Sequence, residues 1–313
     1  MMTEFHIRHY NPIRELAALS SMLTEIESAD HDGEDTTEEY LLAALQWPNY
    51  RPDQDVWVAE TDGKLTGYAV ALEQPSLRCT IYVIVHPSQR RMGLGSQLLD
   101  LALNRARELG CNTILIHANE RNTASNEFLK HHGFAAVGSS GIMRASSALK
   151  THSIELPIGF TLKKYSDINE PIVLLTALDH CYLDMWGHQH NDQPTEEELQ
   201  SPRFLQYYEA DDILLLFDSQ NEISGICTLK PEGKRDENGA RVDLLDAPGV
   251  IQKYRQEGYQ RQLVLTGIEH LRTHGMHPIA LEFWGESEPV LDIYRSLGFE
   301  MLHHYITYHK ELE

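Results

Sequence analysis

The stretch VHPSQRRMGLGSQLL, Val85–Leu99, decides the fold. An apolar, β-branched run, Thr80–Val85, leads into it, and a helical run, Gly95–Gly110, leads out. Glycines at 93 and 95 let the backbone turn tightly and approach an anion with no Cβ in the way. The helix that follows offers unpaired N–H groups and the positive end of its dipole. Arg90 and Arg91 add charge, so the stretch reads as an anion cradle. The dinucleotide fingerprint fails because Leu98 stands where a third glycine is needed, and no Gly-Lys-Ser/Thr follows as in a Walker loop. Taken alone, a Gly-x-Gly is better explained as a helix start with two packing glycines.

The rest of the chain repeats it. Val85, Arg90, Gly93, Leu98, Arg107, Gly110, Ile114, Gly133 and Phe134 recur as Val250, Arg255, Gly258, Leu263, Arg272, Gly275, Ile279, Gly298 and Phe299, every pair 165 residues apart. The second cradle is VIQKYRQEGYQRQLV, with Gln260 in place of the second glycine. Upstream, Gly67 matches Gly225 at an offset of 158, and FHIRHY matches FTLKKY at 155. A longer polar turn in the second copy, PEGKRDENG, accounts for the difference. Two copies of one unit are therefore expected, residues 1–148 and 154–313, joined by the small polar linker Ala145–Ser153.

Each copy reads as a short strand, one or two amphipathic helices with an acidic loop, three strands, the cradle and its helix, a fifth strand, a short helix and Gly-Phe. The fifth strands are Thr113–Ala118 and Pro278–Trp284, and the short helices Ser125–His131 and Pro289–Ser296. This predicts an α/β (α+β) unit, a mixed sheet flanked by helices.

Composition sets limits on function. The formal net charge of -21 argues against nucleic-acid binding and suits a cationic substrate, although solubility alone explains it too. No apolar run approaches the roughly 20 residues that span a bilayer, and the first residues carry no signal core, so a cytoplasmic protein without membrane attachment is expected. Cys79, Cys111, Cys181 and Cys227 form no CxxC pair and read as reduced, buried thiols.

Val85-x-Pro87-x-x-Arg90-x-x-Gly93-x-Gly95 resembles motif A of the GNAT acyltransferases, and Asn122 with Gly133-Phe134 eleven residues on resembles motif B. The resemblance covers essentially the whole chain, twice, and the tandem arrangement is similar to that of double-GNAT proteins, the mycothiol synthases among them. It implies two mixed, mostly antiparallel sheets whose fourth and fifth strands splay apart to take acetyl-CoA. Pantetheine would pair with the backbone of Val83, Ile84 and Val85, or of Pro248–Val250. The pyrophosphate would take N–H groups of Arg91, Met92, Gly93, Leu94, Gly95 and Ser96 in the first copy, or of Gln256–Arg261, including Gly258, Tyr259, Gln260 and Arg261, in the second. Arg90, Asn122, Val250 and Arg255 complete the cofactor set. The implied activity is acetyl transfer to a primary amine of a small molecule or peptide. The alternative is a catalytically degenerate tandem protein that binds acyl-CoA or acts as a scaffold. Monomer and homodimer both remain open.

Amide formation needs a base for the amine and an acid for the departing thiolate. Family members commonly use a motif-B tyrosine as that acid. Tyr294 occupies the position in the second copy, whereas the first has Leu129, which holds no proton to give. For the base, Glu282 and His117 share one repeat position on the fifth strands, with Asp243 and Asp246 as further candidates; Glu282 is preferred among them, and a water chain is the alternative to any side chain. The loop Cys181–Pro194, rich in aromatic and imidazole groups, is expected to contact the acceptor through Tyr182, Trp186 and His188. His188 and His190 lack further ligands at metal-site spacing, so no metal is expected. The acidic stretch His31–Tyr40 is expected to be a solvated loop.

Overall fold

The computed structural model describes residues 5–33, 35–44, 51–74, 77–145, 149, 156, 158–183, 199–200, 205, 207–235, 240–255, 258–285 and 287–312. In chain order the elements are β1 (His6–His9), α1 (Pro12–Asp30), α2 (Glu38–Ala44), α3 (Pro52–Asp55), β2 (Val56–Thr61), β3 (Lys64–Gln74), β4 (Arg78–Val85), α4 (Leu94–Glu108), β5 (Thr113–Asn119), α5 (Thr123–His131) and β6 (Ala135–Ala145). The repeat follows as β7 (Thr161–Lys164), α6 (Pro171–Tyr182), β8 (Ile213–Phe217), β9 (Ile223–Arg235), β10 (Arg241–Val250), α7 (Gln252–Arg255), α8 (Tyr259–His274), β11 (Ile279–Trp284), α9 (Glu288–Leu297) and β12 (Phe299–Glu311).

Two compact units result, but their boundaries differ from those expected. One comprises Met1–Gly138 with Tyr305–Glu313, the other Ser139–His304. Each repeat gives up its last strand. In the first unit β5 pairs antiparallel with β12, from Asn119↔Tyr305 to Thr113↔Glu311. In the second, β11 pairs antiparallel with β6, from Ala280↔Arg144 to Trp284↔Ser140. Edge pairing requires a sixth strand in each unit, whichever repeat supplies it. Without a sixth strand, β5 and β11 would each present an open row of N–H and C=O groups. Otherwise the units share one plan. The first runs β1-β2-β3-β4-β5 and the second β7-β8-β9-β10-β11, antiparallel except where β4 meets β5 and β10 meets β11.

Helices cover both faces of each sheet. On α4, Leu94, Leu98, Leu99, Ala102, Leu103 and Ala106 are buried, a helical stripe that packs with Ile114, Ile116 and Ala118 of β5 and with Leu129 of α5. Gly67 belongs here because a Cβ on it would lie 3.0 Å from Leu98 and 3.1 Å from Leu94. The other face is filled by Leu19, Met22, Leu23 and Ile26 of α1 against Val56, Val58, Tyr68 and Val70. In the second unit α8 and α9 cover one face and α6 the other. All four cysteines are free and buried. Among the described residues no helix is long and apolar enough to cross a membrane.

Candidate active site

The first unit opens where its two parallel strands part. β4 and β5 are registered only at Arg78↔Thr113, Cys79↔Ile114 and Thr80↔Leu115. Beyond Thr80, β4 stays with β3 as far as Val85, whereas β5 stays with β12 as far as Asn119. Each strand follows its outer neighbour, and a cleft of about 830 Å³ lies between them. Val83, Ile84 and Val85 line it, so the backbone of that stretch is the wall along which an extended ligand would lie.

The cradle forms one end of the cleft. Gly93, at φ 88°, takes the left-handed conformation that begins α4, and Gly258 does the same before α8. Gly95 is different. It is helical, and a Cβ there would sit 3.5 Å from Phe128 and 3.7 Å from Val85, which is ordinary contact. Neither strain nor packing demands glycine at this position. What its missing side chain leaves open is the cleft wall, which points to a ligand. Arg91, Gly93, Gly95 and Ser96 line the cleft, and Ser96 Oγ lies 3.1 Å from His132 Nε2. Met92 is exposed, and Leu94 is buried in the core beneath the loop. Arg91 is exposed, and among the described residues it has no carboxylate partner. Arg90, expected to serve a phosphate, is committed to the scaffold. Its Nε donates to Val85 O at 2.9 Å, and its two terminal nitrogens grip Asp30 at 2.8 and 2.5 Å. Arg255 repeats the first bond, to Val250 O at 2.7 Å, and also donates to Cys181 O at 3.1 Å. The arginines at matched positions thus tie the end of each fourth strand.

The opposite wall is where the sequence reading falls short. Asp32, Asp35, Thr36 and Tyr40, from the stretch expected to be a solvated loop, line the cleft. Asn122 explains why. Its Oδ1 accepts from Ser125 N at 3.2 Å and caps α5, while its Nδ2 donates to Asp32 Oδ2 at 3.1 Å. Asn119 Nδ2 and Tyr305 Oη both donate to Asp32 O, at 3.2 and 2.7 Å. Burial holds the Asp32 carboxyl above the ordinary aspartate range, opposed by the Asn122 hydrogen bond. Asp32 carried no motif signal; only the acidic composition of the segment could have flagged it.

The second unit has the same parting strands, registered from Asp243↔Ile279 to Asp246↔Glu282, but fills the gap with its own side chains. Gln260, 1% exposed, donates through Nε2 to Pro248 O at 2.5 Å and to Tyr294 Oη at 2.9 Å. Tyr294 has no exposed surface, and its hydroxyl also lies 3.5 Å from Pro248 O. The phenol expected to meet a departing thiolate is therefore packed against the side chain that replaces the second glycine. Val250 and Tyr259 are core residues, Tyr259 stacking with Phe160 and Tyr254. Arg261 donates to Ser296 Oγ at 3.1 Å. Glu282 is half-buried beside Asp246, whose carboxylate accepts the Tyr208 hydroxyl. Asp243 is buried and accepts from Glu232 N at 2.9 Å. Tyr182 lies over Gly249, where a Cβ would come within 2.5 Å of its ring. Trp186, His188 and His190 lie outside the described residues. The sequence reading also passed over Asp212, which meets His270 Nε2 at 2.7 Å and His274 Nε2 at 4.0 Å.

The Acetyltransferase (GNAT) family model matches residues 20–134 and 175–299. A mycothiol acetyltransferase of Paenarthrobacter aurescens (strain TC1) is 26% identical over 258 residues, 82% of this chain and 77% of that protein. A GCN5-related N-acetyltransferase from Sphaerobacter thermophilus superposes with a TM-score of 0.77 at 19% identity, over 99% of this chain and 97% of that one. A tandem GNAT protein from the clavulanic acid biosynthesis pathway gives a TM-score of 0.66 at 15% identity, over 98% of each chain.

Proposed function

This chain belongs to the GNAT family of acetyltransferases, and from there we propose that it moves the acetyl group of acetyl-CoA to a primary amine in the cleft of its first unit. The observation that carries the reading is the contrast at one repeat position. Gly95 leaves the first cleft open, and Gln260 closes the second onto Pro248 and Tyr294. Pantetheine amides would bond the backbone of Val83–Val85, and the pyrophosphate would take the N–H groups of the loop and first turn of α4, with Arg91 beside them. The acceptor would enter from the acidic wall, where Glu27, Asp32 and Asp35 favour a cation over an anion. Acetyl-CoA would supply an activated acyl carbon. The protein would supply position and proton management.

Tyr294 is then a packing residue of the second unit, and the first unit, with Leu129 at that position, transfers acetyl groups without a motif-B phenol. The test is release of free thiol from acetyl-CoA over a panel of primary amines, from polyamines to amino sugars and peptide N-termini. Turnover with at least one amine, lost in Gly95→Val, is the expected result. Turnover that survives Gly95→Val would move the chemistry out of the first unit. Tight acetyl-CoA binding without transfer to any amine would favour the binding-protein alternative.

A further inference from the structure

Resting on that placement of the chemistry in the first unit, we propose that His117 is the base that takes the acceptor's proton, and that Thr307 orients it from a strand encoded by the other repeat. His117 stands on β5 two residues beyond Leu115, the last residue registered with β4, and lines the cleft. Ile116 and Ala118 turn into the core beneath α4. His117 and Asn119 therefore face the other side of the sheet, where Asn119 holds the Asp32 segment. That is the acceptor wall.

Thr307 is directly opposite His117 in the β5–β12 register, and its Oγ1 lies 3.0 Å from His117 Nδ1. Thr307 has no exposed surface, so its hydroxyl has the imidazole in place of water. Among the described residues no hydrogen bond reaches His117 Nε2. Imidazole and hydroxyl share one hydrogen in this contact; the proposal puts it on Nδ1, donating to Oγ1, which leaves the lone pair on Nε2. The second unit lacks the device. At the matched position Glu282 faces Ile142, which has no hydroxyl.

The exchanged strand fixes three more parts of the same site. Tyr305 Oη holds Asp32 O, Tyr308 Oη donates to Asn126 Oδ1 at 2.9 Å, and Lys310 Nζ donates to His132 O at 2.8 Å. These bonds reach the acceptor segment and both ends of α5. A residue range the sequence assigns to the second copy thus aligns the first copy's cleft.

In the reaction, Nε2 takes one proton from the acceptor ammonium. The amine nitrogen bonds to the thioester carbonyl carbon, and the C–S bond breaks with its electron pair on sulfur. The second nitrogen-bound proton ends on the CoA thiolate, and Nε2 returns the first to solvent. Burial keeps the His117 pKa below the ordinary histidine value, so the ring is a neutral acceptor at neutral pH. Other titratable groups line the cleft. They are the carboxylates of Glu27, Asp30, Asp32, Asp35 and Glu127, the phenols of Tyr40, Tyr68, Tyr82 and Tyr305, the guanidiniums of Arg90 and Arg91, and the imidazoles of His131 and His132 at the far end of α5. The acid limb of the rate profile must therefore be assigned by substitution.

The experiment is a kcat/KM-against-pH profile for the best amine of the panel, beside acetyl-CoA titration calorimetry, for wild type, His117→Gln, Thr307→Val and Thr307→Ser. His117→Gln is expected to bind acetyl-CoA as wild type does, to lose about 100- to 10,000-fold in kcat/KM and to lose the acid limb. Thr307→Val is expected to fall about tenfold, and Thr307→Ser, which restores the hydroxyl, to recover. A wild-type profile in His117→Gln would overturn the proposal. If instead Gly95→Val still turns over, the placement in the first unit has failed, and that is a different result. Nitrogen-15 NMR of the wild-type acetyl-CoA complex reads the tautomer without any acceptor. A proton on Nδ1 of His117 is expected, and a proton on Nε2 alone would also overturn it.

Discussion

Replacing Gly95 by Gln would give the first unit the second unit's closure. Positions 95 and 260 are equivalent at the 165-residue offset, as are Val83 and Pro248. The new amide should reach Val83 O as the Gln260 amide reaches Pro248 O. Leu129 stands where Tyr294 gives Gln260 a second partner, so only one of the two bonds is reproduced. To enter, acetyl-CoA must break that bond, worth about 1 kcal/mol net. It must also expel two methylenes, at about 0.8 kcal/mol each. The affinity should therefore fall by about 2.6 kcal/mol, roughly 80-fold. The fold should not suffer, because a Cβ fits at ordinary contact and glycine is a poor helix residue. Titration calorimetry with acetyl-CoA, beside a thermal melt of the free protein, separates the two effects. An unchanged dissociation constant in a folded Gly95→Gln protein would show that the side chain at this position does not close the cleft.

Three further outcomes are expected. Tyr294→Phe removes one acceptor from Gln260 but leaves Pro248 O, so stability should fall by about 1 kcal/mol with kcat within a fewfold of wild type; a hundredfold loss of kcat would place the chemistry in the second unit. Truncation after His304 removes the strand registered with β5, including the fully buried Thr307 and Tyr308, and should abolish acetyl-CoA binding although the repeat that carries the motifs is intact; retained binding would contradict the strand's role. Asp32 has its pKa raised by burial, so its contribution to stability is fully present below the ordinary aspartate pKa and lost as pH rises through the folded value. Asp32→Asn should therefore raise the melting temperature at pH 7, and the gain should vanish on acidification; a gain that grows at low pH would reverse the sign.

The repeat was legible because it is written in local chemistry. The left-handed starts of α4 and α8 need Gly93 and Gly258, and Gly67 must let α4 approach the sheet. Strand exchange left no such mark. β6 reads AAVGSSGIMRA, with too little apolar alternation to stand out, and nothing local says which β-edge it will meet. For the same reason Thr307 and Tyr305 could not be assigned to the first cleft, since their partners are 190 and 273 residues away. Motif matching found Tyr294 and Gln260 singly. That the second fills the cleft and bonds the first is a matter of packing, and a departure from motif at 260 looked like weakening rather than closure. Arg90 and Arg255 were charges near a cradle in the sequence, and only the structure shows them spent on backbone carbonyls.

If the first of two homologous clefts is open and the second closed, the intact chain holds a single cofactor. The most direct measurement is the stoichiometry of acetyl-CoA on the intact chain, by titration calorimetry and native mass spectrometry. One acetyl-CoA per chain, lost in Gly95→Gln, is the result expected. Two per chain, or one that survives Gly95→Gln, would contradict it.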